Sequence, residues 1–123
     1  MTMISDLLLD PETLPADGSH LLGFAWSGTD FIVETEGLAA YESAGGALPW
    51  GADGHHVLIR RTGDRIRIGA DAAGYAHLFY WSDGADWAVA YSFIGLVAHL
   101  RCRGVRLTEN LAETGAFLSR KQL

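Results

Sequence analysis

One short stretch of the 123-residue sequence groups side chains that could bind a metal ion: Asp53, His55 and His56. An aspartate and two histidines are ligands that zinc accepts. Adjacent residues of a strand place their side chains on opposite faces, so His55 and His56 cannot both bind one ion. The spacing therefore predicts no metal site here.

Cys102 is the only cysteine, and it lies between Arg101 and Arg103. Neighbouring cations lower the pKa of a thiol and make it reactive. Cys102 also follows Leu100 on a predicted amphipathic helix, and we favour a half-buried packing role for it. A single cysteine excludes an internal disulfide and favours a reducing cytoplasm.

The remaining motifs predict neither a hydrolase triad nor a cofactor. No GxSxG element is present, and the glycine-rich run ESAGGALPWGADG lacks the Lys and Ser or Thr of a phosphate-binding loop. His77, at the start of a predicted strand, and His99, on a predicted helix, are interpreted as structural residues.

Charge and hydropathy argue against two classes of partner, nucleic acids and membranes. The net charge is −6 and the basic residues are not clustered, which argues against a nucleic-acid partner. No apolar run reaches the roughly 18 residues of a membrane span. The sequence predicts a cytoplasmic protein with neither a nucleic-acid nor a membrane partner.

The periodicity predicts one domain of α+β class. Residues 1–20 form a short helical or irregular arm, residues 21–54 strands and a loop, and residues 55–123 strands followed by two helices. Strand-like runs such as LLGFAWSG and FIVETEG, HVLIRR and RIRIGAD, and HLFYW and WAVAYS are separated by SGTD, TGD and SDGAD, which are hairpin turns. The glycine-rich stretch 37–56 is predicted to be a loop with a helical turn or a short strand inside it.

Two helices are predicted after the strands. Leu96, Val97 and Leu100 follow Phe93 at helical spacing, with Ser92 as N-cap and Gly104 as the stop. A second helix is predicted over residues 108–119, capped by Thr108. The helices would then lie at the C-terminal side of mostly antiparallel sheets.

The stretch GADAAGYAHLFYW has a structural and a functional interpretation. Asp71 would either bind a ligand or accept backbone N–H bonds in a turn, with Gly74 at positive φ. We favour the turn, followed by a core strand over residues 78–81. Most of the aromatic side chains are expected in the core, and a few in a groove or a subunit interface.

The element Asp71-x-x-Gly74-x-x-x-Leu78-Phe79-Tyr80 resembles the RDxxGxxPLYY element of class II glutamine amidotransferase domains, as in asparagine synthetase. WAVAYSFIGLVAHL and GVRLTENLAETGAFL resemble the segments that follow it in that family, so the resemblance covers residues 55–119. It implies an abbreviated N-terminal-nucleophile (Ntn) hydrolase fold, with two antiparallel sheets between helix layers. In that family an N-terminal Cys attacks glutamine, and ammonia passes to an ATP-dependent synthetase domain.

The sequence has no nucleophilic side chain at the position that corresponds to the family's catalytic Cys. The run Leu22-Gly23-Phe24-Ala25-Trp26 resembles the family opening CGIxG, which places Leu22 at the nucleophile position. Elements resembling GHR, NGEIYN and GSDTE, which handle glutamine in the family, are absent from the sequence.

The resemblance therefore implies a non-catalytic domain with a structural or interaction role beside an ATP-dependent amide-forming domain or partner chain, with a homodimer as a further expectation. Two alternatives remain. One is an active amidohydrolase that uses Thr2 after removal of Met1. The other is a small-molecule-binding module with aromatic side chains between the sheets.

Overall fold

The computed structural model describes residues 4–84, 86–104, 112–114 and 117–118. A 3-10 helix over Ile4–Asp6 precedes the strands. The strands of this part are β1 Leu8–Leu9, β2 Gly18–Ser27, β3 Asp30–Val33, β4 Asp53–Thr62, β5 Arg65–Ala70, β6 Leu78–Asp83, β7 Asp86–Ala90, β8 Ala112–Thr114 and β9 Phe117–Leu118. The α-helices are α1 Glu34–Ser43 and α2 Phe93–Cys102.

The strands form two antiparallel sheets. The larger sheet has the order β3-β2-β4-β5-β9, and the smaller has the order β1-β7-β6-β8. Three tight hairpins, β2–β3, β4–β5 and β6–β7, join strands that are consecutive in the chain, and the long antiparallel pairing of β2 with β4 joins two of these hairpins in the larger sheet. Gly28, at a φ of 64° in the first turn, adopts the left-handed conformation that such turns need.

Three apolar clusters show how the layers stack. Strand alternation places Val57, Ile59 and Ile68 of the larger sheet opposite Leu78 and Val89 of the smaller one, in the central core. Leu38 of α1 packs on the other face of the larger sheet, against Leu21, Ile32 and Leu58. Leu96 and Leu100 of α2 pack on the other face of the smaller sheet, against Trp81 and Ala88. The layer order is therefore helix, sheet, sheet, helix.

Asp71 fixes the corner at which the chain leaves the larger sheet for the smaller one. Its fully buried carboxylate accepts backbone N–H bonds from Tyr75 at 2.8 Å, Ala76 at 2.9 Å and His56 at 3.3 Å. Gly74, at a φ of 72°, closes the turn by donating its N–H to the Asp71 carbonyl. These bonds and the positive φ of Gly74 are the features that the structural interpretation predicts.

The structure confirms the α+β class, the three predicted hairpins and helix α2. Ser92 caps α2 by accepting the N–H of Gly95 at 3.1 Å, and Gly104 follows the helix at a φ of 78°. Leu78 is fully buried in the central core, and Tyr80 is half-buried beside it.

The predicted helix over residues 108–119 is wrong where the structure describes it. Residues 112–114 pair with β6 and residues 117–118 pair with β5, so sheet pairing overrides the helical pattern. The remainder of that segment, including its predicted cap Thr108, lies outside the described residues. The prediction that the helices gather at the C-terminal side is wrong as well, because α1 lies between β3 and β4.

Four other predictions need correction. The stretch 37–56 contains more regular structure than the helical turn or short strand that was predicted in it, because it includes most of α1 and the start of β4. The FIVETEG strand ends at Val33, where α1 follows. The arm contributes β1, which pairs with β7, and β2 already begins at Gly18. Cys102 is exposed rather than half-buried, because two residues rotate it by about 200° from the buried Leu100.

Replacing Asp71 with Ala is expected to lower the free energy of unfolding by about 3 kcal/mol, because three backbone donors at a buried corner lose their acceptor. Urea unfolding followed by circular dichroism measures the change. Asp64→Asn, in the exposed β4–β5 turn, is the control and is expected to change stability little. Equal stability of Asp71→Ala and the control would contradict the structural role.

Candidate functional site

A cavity of about 470 Å³ lies beside the start of α1. Ligand pockets usually measure roughly 300–1,000 Å³. The arm, strands β2 and β4 and the first turn of α1 contribute its walls. Its lining residues are Leu7, Leu9, Pro15, His20, Leu21, Leu22, Glu34, Thr35, Glu36 and Ile59.

The lining combines an aliphatic floor with an acidic side. Five of the ten residues are Leu or Ile, and the acidic side comes from Glu34 and Glu36. Neither carboxylate has an ion-pair partner among the residues that the structure describes. Two arginines of β4 directly follow the lining residue Ile59, and both pair with other carboxylates. Arg60 pairs with Glu42 at 3.1 Å, and Arg61 pairs with Asp17 at 3.5 Å.

Glu34 begins α1 with an unusual backbone. Its φ is 58°, the one positive value outside glycine in the part of the chain described. A non-glycine residue in this region costs of order 1–3 kcal/mol and persists only where its surroundings hold it. The preceding Val33 gives no side-chain cap to the helix, so the first turn of α1 keeps free N–H groups beside the two glutamates.

The polar groups of the lining that are not acidic are already bonded within the protein. The Thr35 hydroxyl oxygen accepts the N–H of Leu21 at 3.1 Å and lies 3.4 Å from the Leu21 carbonyl oxygen, to which it donates. The His20 Nε2 atom lies 2.7 Å from the carbonyl oxygen of Ala16. Neither side chain is arranged to activate the other.

Leu22 lines this cavity from the central part of β2. It is half-buried, packs against the central core and pairs in register with Val57 of β4. The position that the resemblance assigns to a nucleophile is thus a cavity wall with an aliphatic side chain.

The arm, which contributes part of the cavity wall, is held to α2 by contacts of Asp10. This nearly fully buried carboxylate accepts the Glu12 N–H at 2.9 Å and the Thr13 hydroxyl at 3.1 Å, and it lies 2.7 Å from His99 Nε2. Arg103 adds a longer ion pair at 3.6 Å. Burial raises the pKa of Asp10, but the hydrogen bonds from His99, Glu12 and Thr13 outweigh burial and hold that pKa below its usual value.

His56 is a second buried titratable group and lies away from the cavity lining. It is fully buried, and neither ring nitrogen has a hydrogen-bond partner in the described part of the chain. Burial lowers the pKa of its imidazole; the charge of Asp71 and the nearby Phe24 carbonyl, which lies outside hydrogen-bond geometry, oppose the shift without reversing it. His56 is therefore neutral in the folded protein at pH 7.

An aromatic patch, defined by Phe24, Trp26, Phe31 and the neighbouring Val33, lies on the paired strands β2 and β3 of the larger sheet. These residues are 37–52% exposed. The Phe31 ring lies 4.6 Å from Trp26 and 5.4 Å from Phe24, centroid to centroid. Strand β3 is the outermost strand on this side of the larger sheet.

The structure separates the residues that the sequence singled out. Leu22 lines the cavity, whereas Asp71, Gly74, Leu78 and Tyr80 belong to the corner and the core and do not. Thr2 lies outside the described residues. His55 and His56 extend from opposite faces of β4, and no group of three or more metal-ligating side chains occurs in the described ranges.

Sequence reasoning missed the cavity because its walls come from four separated segments. The only local signal was the pair of glutamates in ETEG, which was interpreted as part of a strand. In residues 4–84 and the shorter described segments, no helix has the length and apolarity needed to cross a membrane.

Comparison with known proteins adds no relative: no protein-family model, curated protein or solved structure matches the chain.

Acidification should destabilise the protein in two steps. Because folding lowers the pKa of His56 from 6.5, the unfolded chain takes up a proton before the folded protein does. Stability is therefore complete above pH 6.5 and falls below it, by about 1.4 kcal/mol in total for each pH unit that separates the two pKa values. The lowered pKa of Asp10 adds a second loss, which begins only below 3.8. Urea unfolding at a series of pH values measures both.

The matched variants are His56→Leu and His20→Gln. His56→Leu should abolish the loss of stability just below pH 6.5, because the buried group that takes up a proton on unfolding is gone. His20→Gln should retain it. Parallel stability curves for the wild type and His56→Leu would show that burial of His56 is not its cause.

Proposed function

We propose that the chain is a catalytically silent glutamine-amidotransferase-like domain that acts as a binding or interaction module beside an ATP-dependent amide-forming domain. One observation carries the proposal. A cavity of ligand size is present at Leu22, the position that corresponds to the family nucleophile, and the residue there is aliphatic.

The chemistry of an N-terminal nucleophile supports silence. Such a mechanism needs a thiol or hydroxyl on the first residue, because the residue's own α-amine takes the proton. Leu22 has no such group, and its backbone nitrogen lies inside a paired strand. The one hydroxyl in the lining, that of Thr35, is engaged by the backbone of Leu21.

The layer order gives further support. Two antiparallel sheets between an α1 layer and an α2 layer agree with the arrangement that the resemblance implies, although the chain is short for it. The Asp71 turn and Leu78 take the structural roles expected of the motif.

The aromatic patch supports the interaction role. Three neighbouring aromatic rings at a sheet edge are typical of a surface that a partner covers. The coding sequence beside this chain tests the partner: an SGGxDS-type ATP-binding motif there is the expected result. A reading frame without such a domain on either side would contradict it.

A small-molecule-binding module is the second candidate, and the cavity favours it. The location differs from the expectation of aromatic side chains between the sheets, because the lining contains no Phe, Tyr or Trp. Binding without catalysis is compatible with a silent domain.

The direct test of silence is ammonia release from glutamine. The purified chain is expected to release ammonia at the rate of buffer alone, and Thr35→Ala should leave that rate unchanged. Mass spectrometry of the same natively expressed material establishes whether Met1 is retained. Ammonia release that requires Thr2, lost in Thr2→Ala, would establish the active alternative instead.

A further inference from the structure

We propose that the cavity beside α1 binds an organic cation, a primary ammonium group carried on an apolar chain. The inference rests on the proposed non-catalytic binding role and specifies the chemical class of the ligand. The aliphatic floor would contact the chain, and Glu34 and Glu36 would receive the ammonium group.

The floor selects for an apolar body. Leu7, Leu9, Leu21 and Ile59 are buried residues of the apolar clusters, and each also lines the cavity. Covering apolar surface of this kind stabilises a complex by about 25 cal/mol for each Å² removed from water. A small hydrophilic solute gains little from such a floor.

The acidic side selects for positive charge. Glu34 is half-buried and Glu36 exposed, and neither has an ion-pair partner in the described part of the chain. The pairs Arg60–Glu42 and Arg61–Asp17 occupy the two consecutive arginines of β4. A carboxylate that is only partly solvated attracts a cation more strongly than one in open water, because screening is weaker there.

An anionic ligand is disfavoured even though a helix begins at this cavity. The first turn of an α-helix attracts anions through its free N–H groups. Here that turn carries Glu34 and Glu36, whose two negative charges oppose a further anion at the same end. The chain as a whole has a net charge of −6, which adds to the repulsion.

A neutral ligand finds few side chains free to bind it. The Thr35 hydroxyl is engaged with the Leu21 backbone, and the His20 ring with the Ala16 carbonyl. The carboxylates are the polar side chains of the lining that are left to bind a ligand. They accept hydrogen bonds, and the three donors of an ammonium group match them in both charge and direction.

The test compares three probes of one chain length, n-hexylammonium, 1-hexanol and hexanoate, against the full 123-residue chain at pH 7. Two-dimensional ¹H–¹⁵N spectra report the site through the amides of Leu21, Leu22 and Thr35, and titration gives the dissociation constants. Hexylammonium is expected to shift these amides and to bind roughly tenfold more tightly than hexanol. Hexanoate should bind most weakly.

Charge-removing variants locate the interaction. Glu34→Gln and Glu36→Gln keep the side-chain shape, and each should weaken hexylammonium binding several-fold while leaving hexanol unchanged. Asp64→Asn removes the same charge from an exposed residue outside the cavity lining and is expected to bind like the wild type. Unchanged far-ultraviolet circular dichroism establishes that each variant is folded.

Several results would overturn the inference: no shift at the cavity amides, binding of hexanol or hexanoate as tight as that of hexylammonium, or a loss of affinity in Asp64→Asn as large as in the glutamate variants. These outcomes are separate from a failure of the silent-domain proposal. Glutamine hydrolysis would contradict silence without changing the order of the three probes.

Discussion

The two-sheet structure depends on the hydrogen bonds that the Asp71 carboxylate accepts from three backbone N–H groups. These groups belong to β4 and to the turn that follows β5, and so the carboxylate ties the larger sheet to the start of the smaller one. Without an acceptor there, three backbone donors, two of them buried, would lose their partner at the point where the chain changes sheets. The central core, with Val57 and Leu78 on facing sheets, forms only if that crossing has the correct direction.

The cavity is a consequence of how the arm returns to this framework. β1 extends the smaller sheet, and Asp10 fastens the next residues to His99 of α2. The arm therefore lines the cavity together with residues 20–22 of β2. α1 begins at the same place with a glutamate in a left-handed conformation. Leu22 and its neighbours thereby line a partly open cavity, in which the Thr35 hydroxyl is already bonded to the Leu21 backbone. A cavity with an aliphatic side chain at Leu22 fits the proposed domain, which binds rather than reacts.

Local chemistry was enough to predict the hairpins, the Ser92 cap and the Asp71 turn, because each is set by residues close in sequence. α1 was missed because it lacks a side-chain cap and buries only Leu38 fully. The strands at 112–114 and 117–118 were predicted as helix because their pairing with β6 and β5 is a long-range effect that propensity does not contain. The cavity depends on where the arm lies, and no local pattern in the sequence contains that position.

Covalent trapping tests the central claim of the proposal, that the chain has no nucleophile able to attack glutamine. A glutamine analogue with an electrophilic diazoketone in place of its amide alkylates the attacking group of an enzyme that hydrolyses glutamine. Intact-mass measurement followed by peptide mapping should find the 123-residue chain unmodified under conditions that label an active glutaminase completely. Stoichiometric labelling at Thr2, or at any residue of the cavity lining, would contradict it.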